Sequence, residues 1–245
     1  MYRFVVLLYQ TMKNLFKLVF VFCFISQNLF SQSGTVVYAV QIDVSGVDVP
    51  KNNSDFIAEM ITKAKNQQYE LMFNKSQSSF KLVDDLSEHS DSENKMAGIA
   101  RAAFGSSRDI YIDYNSKVEI EQEDNGILIE NKFDTSNWEL TTESKKIANY
   151  LCYKAIKRIP FTDRNGLPKV NEIVAWFAPS LPYGYGPKSF YGLPGLILEL
   201  TRIRTTFLAT KIVIEDKKEL KIKFPVGKTT TKAAYDKQLK AQMGM

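Results

Sequence analysis

The chain has 245 residues, 44% hydrophobic and 12% aromatic, enough for one domain with a sizeable core. Its formal net charge is +5, but Arg3, Lys13 and Lys17 fall in a leading segment without acids, so the rest carries only +2. With no Lys/Arg cluster in the body, that balance excludes the basic footprint of a nucleic-acid binder. A single histidine and two cysteines exclude the His/Cys cluster of an ordinary zinc site, and no metal or cofactor is expected.

Lys13 and Lys17 precede an apolar run over 18–25, which Asn28, Leu29, Phe30, Ser31 and Gln32 bring to an end. A positive start, a short apolar stretch and a small polar close describe a signal peptide over 1–32, cleaved near Ser31/Gln32. The run is short for a membrane span, so no stable transmembrane segment is expected after cleavage; a retained anchor and a buried helix are the alternatives. Met12 is a second candidate start, and Cys23 lacks the small residues of a lipoprotein cleavage box. The expected location is periplasmic or secreted. Cys152, the cysteine left after cleavage, is expected to be buried.

The first strand is expected over 35–44, with β-branched and aromatic residues ending at Ser45-Gly46. Asn53, Ser54 and Asp55 are placed to cap a helix over 56–65, whose Phe56, Ile57, Met60, Ile61 and Ala64 share one face. Segments 69–73 and 80–83 form a hairpin pair, and the acidic, serine-rich stretch 84–94 is a solvated loop. A short helix over 96–104 follows. Strands are then expected over 109–114, 117–121 and 127–130, the last two joined by the Asn125-Gly126 turn. In 117–121, apolar and charged residues alternate. This places Glu119, Glu121 and Glu123 on a solvent face, in preference to a glycosidase-like carboxylate cleft. Strands over 138–141, 146–148 and 150–158 lead to a turn at Asp163–Gly166.

The stretch 172–201 organises the rest. A strand over 173–177 runs into a loop stiffened by Pro179, Pro182 and Pro187. Pro194 and Gly195 fit the centre of a type II turn, and Leu196, Leu198 and Leu200 line one face of the next strand. Glu199 stands among them, either outward on an alternating strand or as a polar group in a pocket. A turn or bulge at 202–204, a strand over 207–214, a turn at 215–218 and a half-buried strand over 220–224 complete the body. The fold class is mainly β (α+β): a strongly curved antiparallel sheet or half-barrel with one or two short N-terminal helices. The domain spans 33–225, and 226–245 is a flexible Lys/Thr-rich tail with a short helix at 233–242.

Gly192, Leu193, Pro194, Gly195, Leu196 and Ile197 resemble the hexapeptide of the GLPGLI family of Bacteroidetes envelope proteins. Tyr150, Cys152, Lys154 and Ala155 resemble its Tyr-x-Cys-x-Lys-Ala stretch. Trp176-Phe177 with Pro179 and Pro182, then Gly186-Pro187, resemble its Trp-Phe and Gly-Pro signatures. The likeness covers about 146–214 and keeps only Arg158 and Arg164 of an Arg-rich segment. It implies an envelope location and a β-rich architecture rather than a reaction, and the half-barrel is similar to the lipoprotein-carrier fold.

No catalytic set stands out. His89 lies in the acidic loop, poorly placed for a Ser-His-Asp triad. Asp84, Asp85, Glu88, Asp91 and Glu93 lack the glycine of a calcium loop. The aromatics Trp176, Phe177, Tyr183, Tyr185, Phe190 and Tyr191 either lid the core or form a recognition loop. The favoured function is non-catalytic binding of an apolar ligand or an outer-membrane or other envelope protein. The alternative is an envelope hydrolase using a Ser–Lys or carboxylate pair.

Overall fold

The structure, a computed structural model, describes residues 33–46, 53–83, 91–135, 137–163, 165–215 and 219–242. The signal-peptide segment with Cys23, the acidic stretch 84–90 with His89, and positions 216–218 of the turn after Glu215 lie outside the described residues. Elements in order are β1 (Ser33–Ile42), α1 (Ser54–Lys65), β2 (Gln68–Phe73), β3 (Gln77–Leu82), α2 (Asp91–Phe104), β4 (Asp109–Asp113), β5 (Val118–Gln122) and β6 (Leu128–Lys132). They continue with β7 (Trp138–Ile147), β8 (Tyr150–Thr162), β9 (Pro168–Ala178), β10 (Leu196–Arg202), β11 (Thr205–Glu215), β12 (Thr229–Thr231) and α3 (Lys232–Gln242). None of the described helices is long and apolar enough to cross a membrane.

The strands form one sheet in the order β12-β6-β5-β4-β3-β2-β1-β11-β10-β9-β8-β7, not closed into a barrel. Every neighbouring pair is antiparallel except β12–β6, which is parallel. Two meanders, β1 to β6 and β7 to β11, meet at the β1–β11 seam, which runs from Ser33↔Glu215 to Ile42↔Thr205 with a bulge at Val37/Tyr38. The chain passes between meanders through residues 133–137, from β6 near one margin to β7 at the other. Six Cα steps reach about 22 Å at most, whereas the ten inter-strand steps between β6 and β7 would span about 48 Å if laid flat.

Most local expectations are met. Val36, Tyr38, Val40 and Ile42 of β1 are buried in alternation. In α1, Ala64 is buried and Met60 and Ile61 pack on the core, while Phe56 stays 47% exposed. Asn53, at the N-cap, makes no side-chain capping bond, and Asp55 lies in the first turn. Residues 91–94, read as loop, form the first turn of α2, whose Asp91 and Glu93 suit a helix N-terminus. The segments read as two strands over 138–148 are one, β7.

Two corrections concern the sheet. Glu119 is only 3% exposed; on β5 it lies opposite Ile112, as Glu121 lies opposite Ile110, so both carboxylates share the face of the main core. On the other face Val118 and Ile120 cluster with Tyr111 and Leu128 of the neighbouring strands, and Phe224 packs on them. The 220–224 segment is not a strand. It is an extended chain whose Leu220 donates its N–H to Ser33 Oγ (3.0 Å) and accepts from Asn74 Nδ2 (2.9 Å). Beyond it, the short helix expected over 233–242 forms as α3, preceded by β12, and Tyr235 of α3 donates to Glu123 (2.8 Å).

Candidate functional site: the glycine–proline loop

Residues 179–195 link β9 to β10. The expected type II turn at Pro194-Gly195 is not formed, because Gly195 is absent from the glycines with positive φ. The left-handed residue is Gly192, at φ +90°. Gly195 is required for closeness instead: a Cβ there would stand 2.3 Å from the Ala178 carbonyl oxygen. Backbone bonds hold the loop against itself, Gly192 N to Gly184 O (2.8 Å), Leu196 N to Leu181 O (2.9 Å) and Ile197 N to Tyr185 O (2.9 Å). Tyr38 of β1 donates to the Ile197 carbonyl (2.5 Å), tying the loop exit to the central seam. Leu193, Leu196 and Ile197 are buried, whereas Pro194 is exposed.

The loop also spans to the other meander. Tyr114, just past β4, donates to the Gly184 carbonyl (2.7 Å) and accepts from Gly192 N (3.1 Å). Tyr191 is the anchor of the 133–137 connection. Its ring stacks on Phe133 at 5.0 Å, its hydroxyl accepts from Asp134 N (3.1 Å), and its carbonyl accepts from Trp138 Nε1 (2.9 Å). The same hydroxyl and that of Ser189 hydrogen-bond the Glu119 carboxyl, which also accepts from Asn131 Nδ2 (2.9 Å). Burial holds the Glu119 carboxyl above the usual carboxylate range despite these donors.

Of the six aromatics, Phe177, Tyr185, Phe190 and Tyr191 are buried and belong to the core cluster, while Trp176 and Tyr183 are half-buried. Tyr183 packs on Phe73 at 4.7 Å and Tyr185 lies edge-on to Tyr114 at 4.9 Å. The Tyr185 hydroxyl is buried with no hydrogen-bond partner. Trp176 faces the opposite way along β9: the Lys145 ammonium sits 4.3 Å from its ring and also pairs with Glu199 at 2.7 Å. Glu199 is therefore not free but ion-paired. Cys152, paired across strands with Lys145, is fully buried, and burial pushes its thiol up to about 11, which removes thiolate reactivity at neutral pH.

Two residues passed over in the sequence line a cavity of about 330 Å³ behind the loop. Lys188 and Arg202 face the end of α2 there, with Ser106, Ser107, Arg108 and Glu121. Lys188 holds a left-handed φ of +56°, and its ammonium, 5.2 Å from the Phe207 ring, is held down to about 8, chiefly by burial and then by Arg202. A larger cavity of about 540 Å³ lies between α1, α2 and β2–β3. Its charges are matched, Lys63 with Glu93 and Arg101 with Asp124. Among the described residues no group of three or more His, Cys, Asp or Glu is placed to hold a metal.

No curated protein matches this chain. A solved structure of PNGF-II shares 15% identity at a TM-score of 0.49; the match covers 85% of this chain but 33% of that one, so this chain spans about a third of its length. Residues 162–199, which run from the end of β8 through the loop into β10, match the model of a Bacteroidetes-type family described as "Protein of unknown function (Porph_ging)".

Proposed function

We propose that this chain is an exported, non-catalytic protein of the GLPGLI type, periplasmic or secreted, built as a strongly curved half-barrel that holds an apolar ligand or an envelope protein. The observation that carries the reading is the state of its reactive groups. Glu119, Cys152 and Glu199 are each enclosed or paired by structural partners, and the loop braces the sheet from within. The short 133–137 connection between β6 and β7 supports a rolled sheet, and the Lys13–Gln32 pattern supports export. The contact surface in this reading is the Trp176 side of β9, where its half-buried indole lies under Lys145; such an aromatic supplies contact area at low entropic cost.

Affinity capture of the mature protein from its native envelope, with lipids and proteins identified by mass, tests the reading. Trp176→Ala, which spares the braced side of the loop, abolishes the captured species; unchanged capture by a folded variant overturns the contact surface. The alternative of a hydrolase draws on Lys188 and Ser189, adjacent on the cavity wall. Ser189, however, is hydrogen-bonded to Glu119, and Lys188 makes no hydrogen bond to a serine among the described residues, so the nucleophile–base contact of such a pair is unmade. Turnover on a panel of esters, peptides and glycosides would restore that alternative.

A further inference from the structure

We propose that the cavity between the end of α2 and Lys188 binds an oxyanion, a phosphate, sulfate or carboxylate group carried by a small polar molecule. This goes beyond a contact at Trp176 and stands without it. The argument begins with charge. Of the three cations on the cavity wall, Arg108 is matched twice, by Glu121 and Glu123 at 2.6 Å each. Lys188 and Arg202 have no carboxylate within ion-pair distance among the described residues, and they approach the space from two elements, the loop and β10. Other partly buried cations have carboxylate partners: Lys145 with Glu199, Lys63 with Glu93, Arg101 with Asp124. A half-buried ammonium without a counter-charge is costly unless something supplies one. The Phe207 ring gives only partial compensation.

Backbone geometry adds a second observation. Lys188 is not glycine, yet it is held left-handed at φ +56° between Pro187 and Ser189. A strained, charged residue on a rigid loop facing a cavity is the pattern of a site in which the surroundings over-determine the geometry. Access and size agree. Arg202 and Ser107 are solvent-exposed, so the cavity is reachable, and the Ser107 hydroxyl adds a donor beside the two cations. A volume of about 330 Å³ leaves room for an anionic group together with the polar molecule that carries it. Phe190 and Ile110 are the apolar part of the wall.

The test uses inorganic phosphate, inorganic sulfate and citrate as probes, each titrated calorimetrically into the mature protein at matched ionic strength, with chloride as reference. At least one probe binds saturably, and Lys188→Gly and Arg202→Gln each weaken it at least tenfold. Lys188→Gly suits the left-handed backbone, and Arg202→Gln changes an exposed side chain, so both variants stay folded; the Arg202 variant alone decides if the other does not. Lys154→Gln, a cation paired with Glu143 outside the cavity, leaves binding unchanged. Preference for phosphate or sulfate names a tetrahedral group and preference for citrate a carboxylate, and both support the site. Absence of saturation by all three below about 10 mM, or saturation unaffected by either cavity variant, overturns it.

Discussion

Tyr191 and Lys188 stand three residues apart on one loop, and their surroundings differ in kind. Around Tyr191 every polar group has a partner: Asp134 N–H, Trp138 Nε1, Glu119 and Asn131 form a closed set. Around Lys188 the side chain has an aromatic ring and another cation for neighbours. The loop thus has a braced side, which fastens the two meanders together, and an uncompensated side, which faces a cavity. Saturated polar networks specify a structure, whereas an unsaturated charge costs stability and is kept for another reason. Substitutions should separate the two sides by the sign of their effect on stability.

The largest effect belongs to the braced side. Gly195→Ala drives a methyl into the Ala178 carbonyl and lowers stability by about 3–4 kcal/mol, measured by urea denaturation. A neutral result would break the idea that closeness, not turn geometry, selects glycine there. Next, Lys188→Gly should stabilise the protein near neutral pH by about 2 kcal/mol, since it removes a desolvated charge and a left-handed side chain. The sign follows from the lowered value of about 8. Below it the folded chain carries the charge at a penalty; between about 8 and the ordinary 10.5 the folded chain loses the proton first, so wild-type stability rises with pH. The variant's advantage therefore shrinks across that window, and a constant advantage in melts at several pH values would argue against a desolvated ammonium.

Tyr191→Phe leaves the Asp134 N–H and the Glu119 carboxyl each short of a partner and should cost about 2 kcal/mol. Tyr185→Phe sharpens the contrast from within the same loop. Its hydroxyl is buried without a partner, so its removal should be neutral or stabilising by about 1 kcal/mol. Equal losses from the two Tyr→Phe changes, in thermal or chemical denaturation, would erase the distinction drawn between braced and unbraced hydroxyls.

What could be read from the sequence was local. The α1 stripe, the β2–β3 hairpin and the turn at Asn125-Gly126, with Gly126 at φ +84°, follow from spacing and turn chemistry. The face of β5 was inverted because period-2 alternation reveals two faces without saying which meets the core. Here the acids point inward, where Asn131 of the neighbouring strand β6, Arg108 just before β4, and Ser189 and Tyr191 from the distant loop receive them. Leu220, Ile222 and Phe224 do alternate in burial, but the backbone bonds of the segment go to the side chains of Ser33 and Asn74 rather than to a strand. The loop aromatics could be counted in the sequence but not assigned a side, because their partners, Tyr114, Phe133 and Phe73, belong to the other meander. Lys188 offered no periodic signal at all.

The seam between β1 and β11 has a kinetic consequence. Strand β1 can recruit β2 within some forty residues, but its second flank waits for Thr205–Glu215, more than 160 positions later. Until then a row of amide and carbonyl groups at the middle of the eventual sheet is open to any extended peptide. Such distant pairing makes for slow folding, and the long interval before β11 arrives is when a chaperone or a stray strand would compete for that flank.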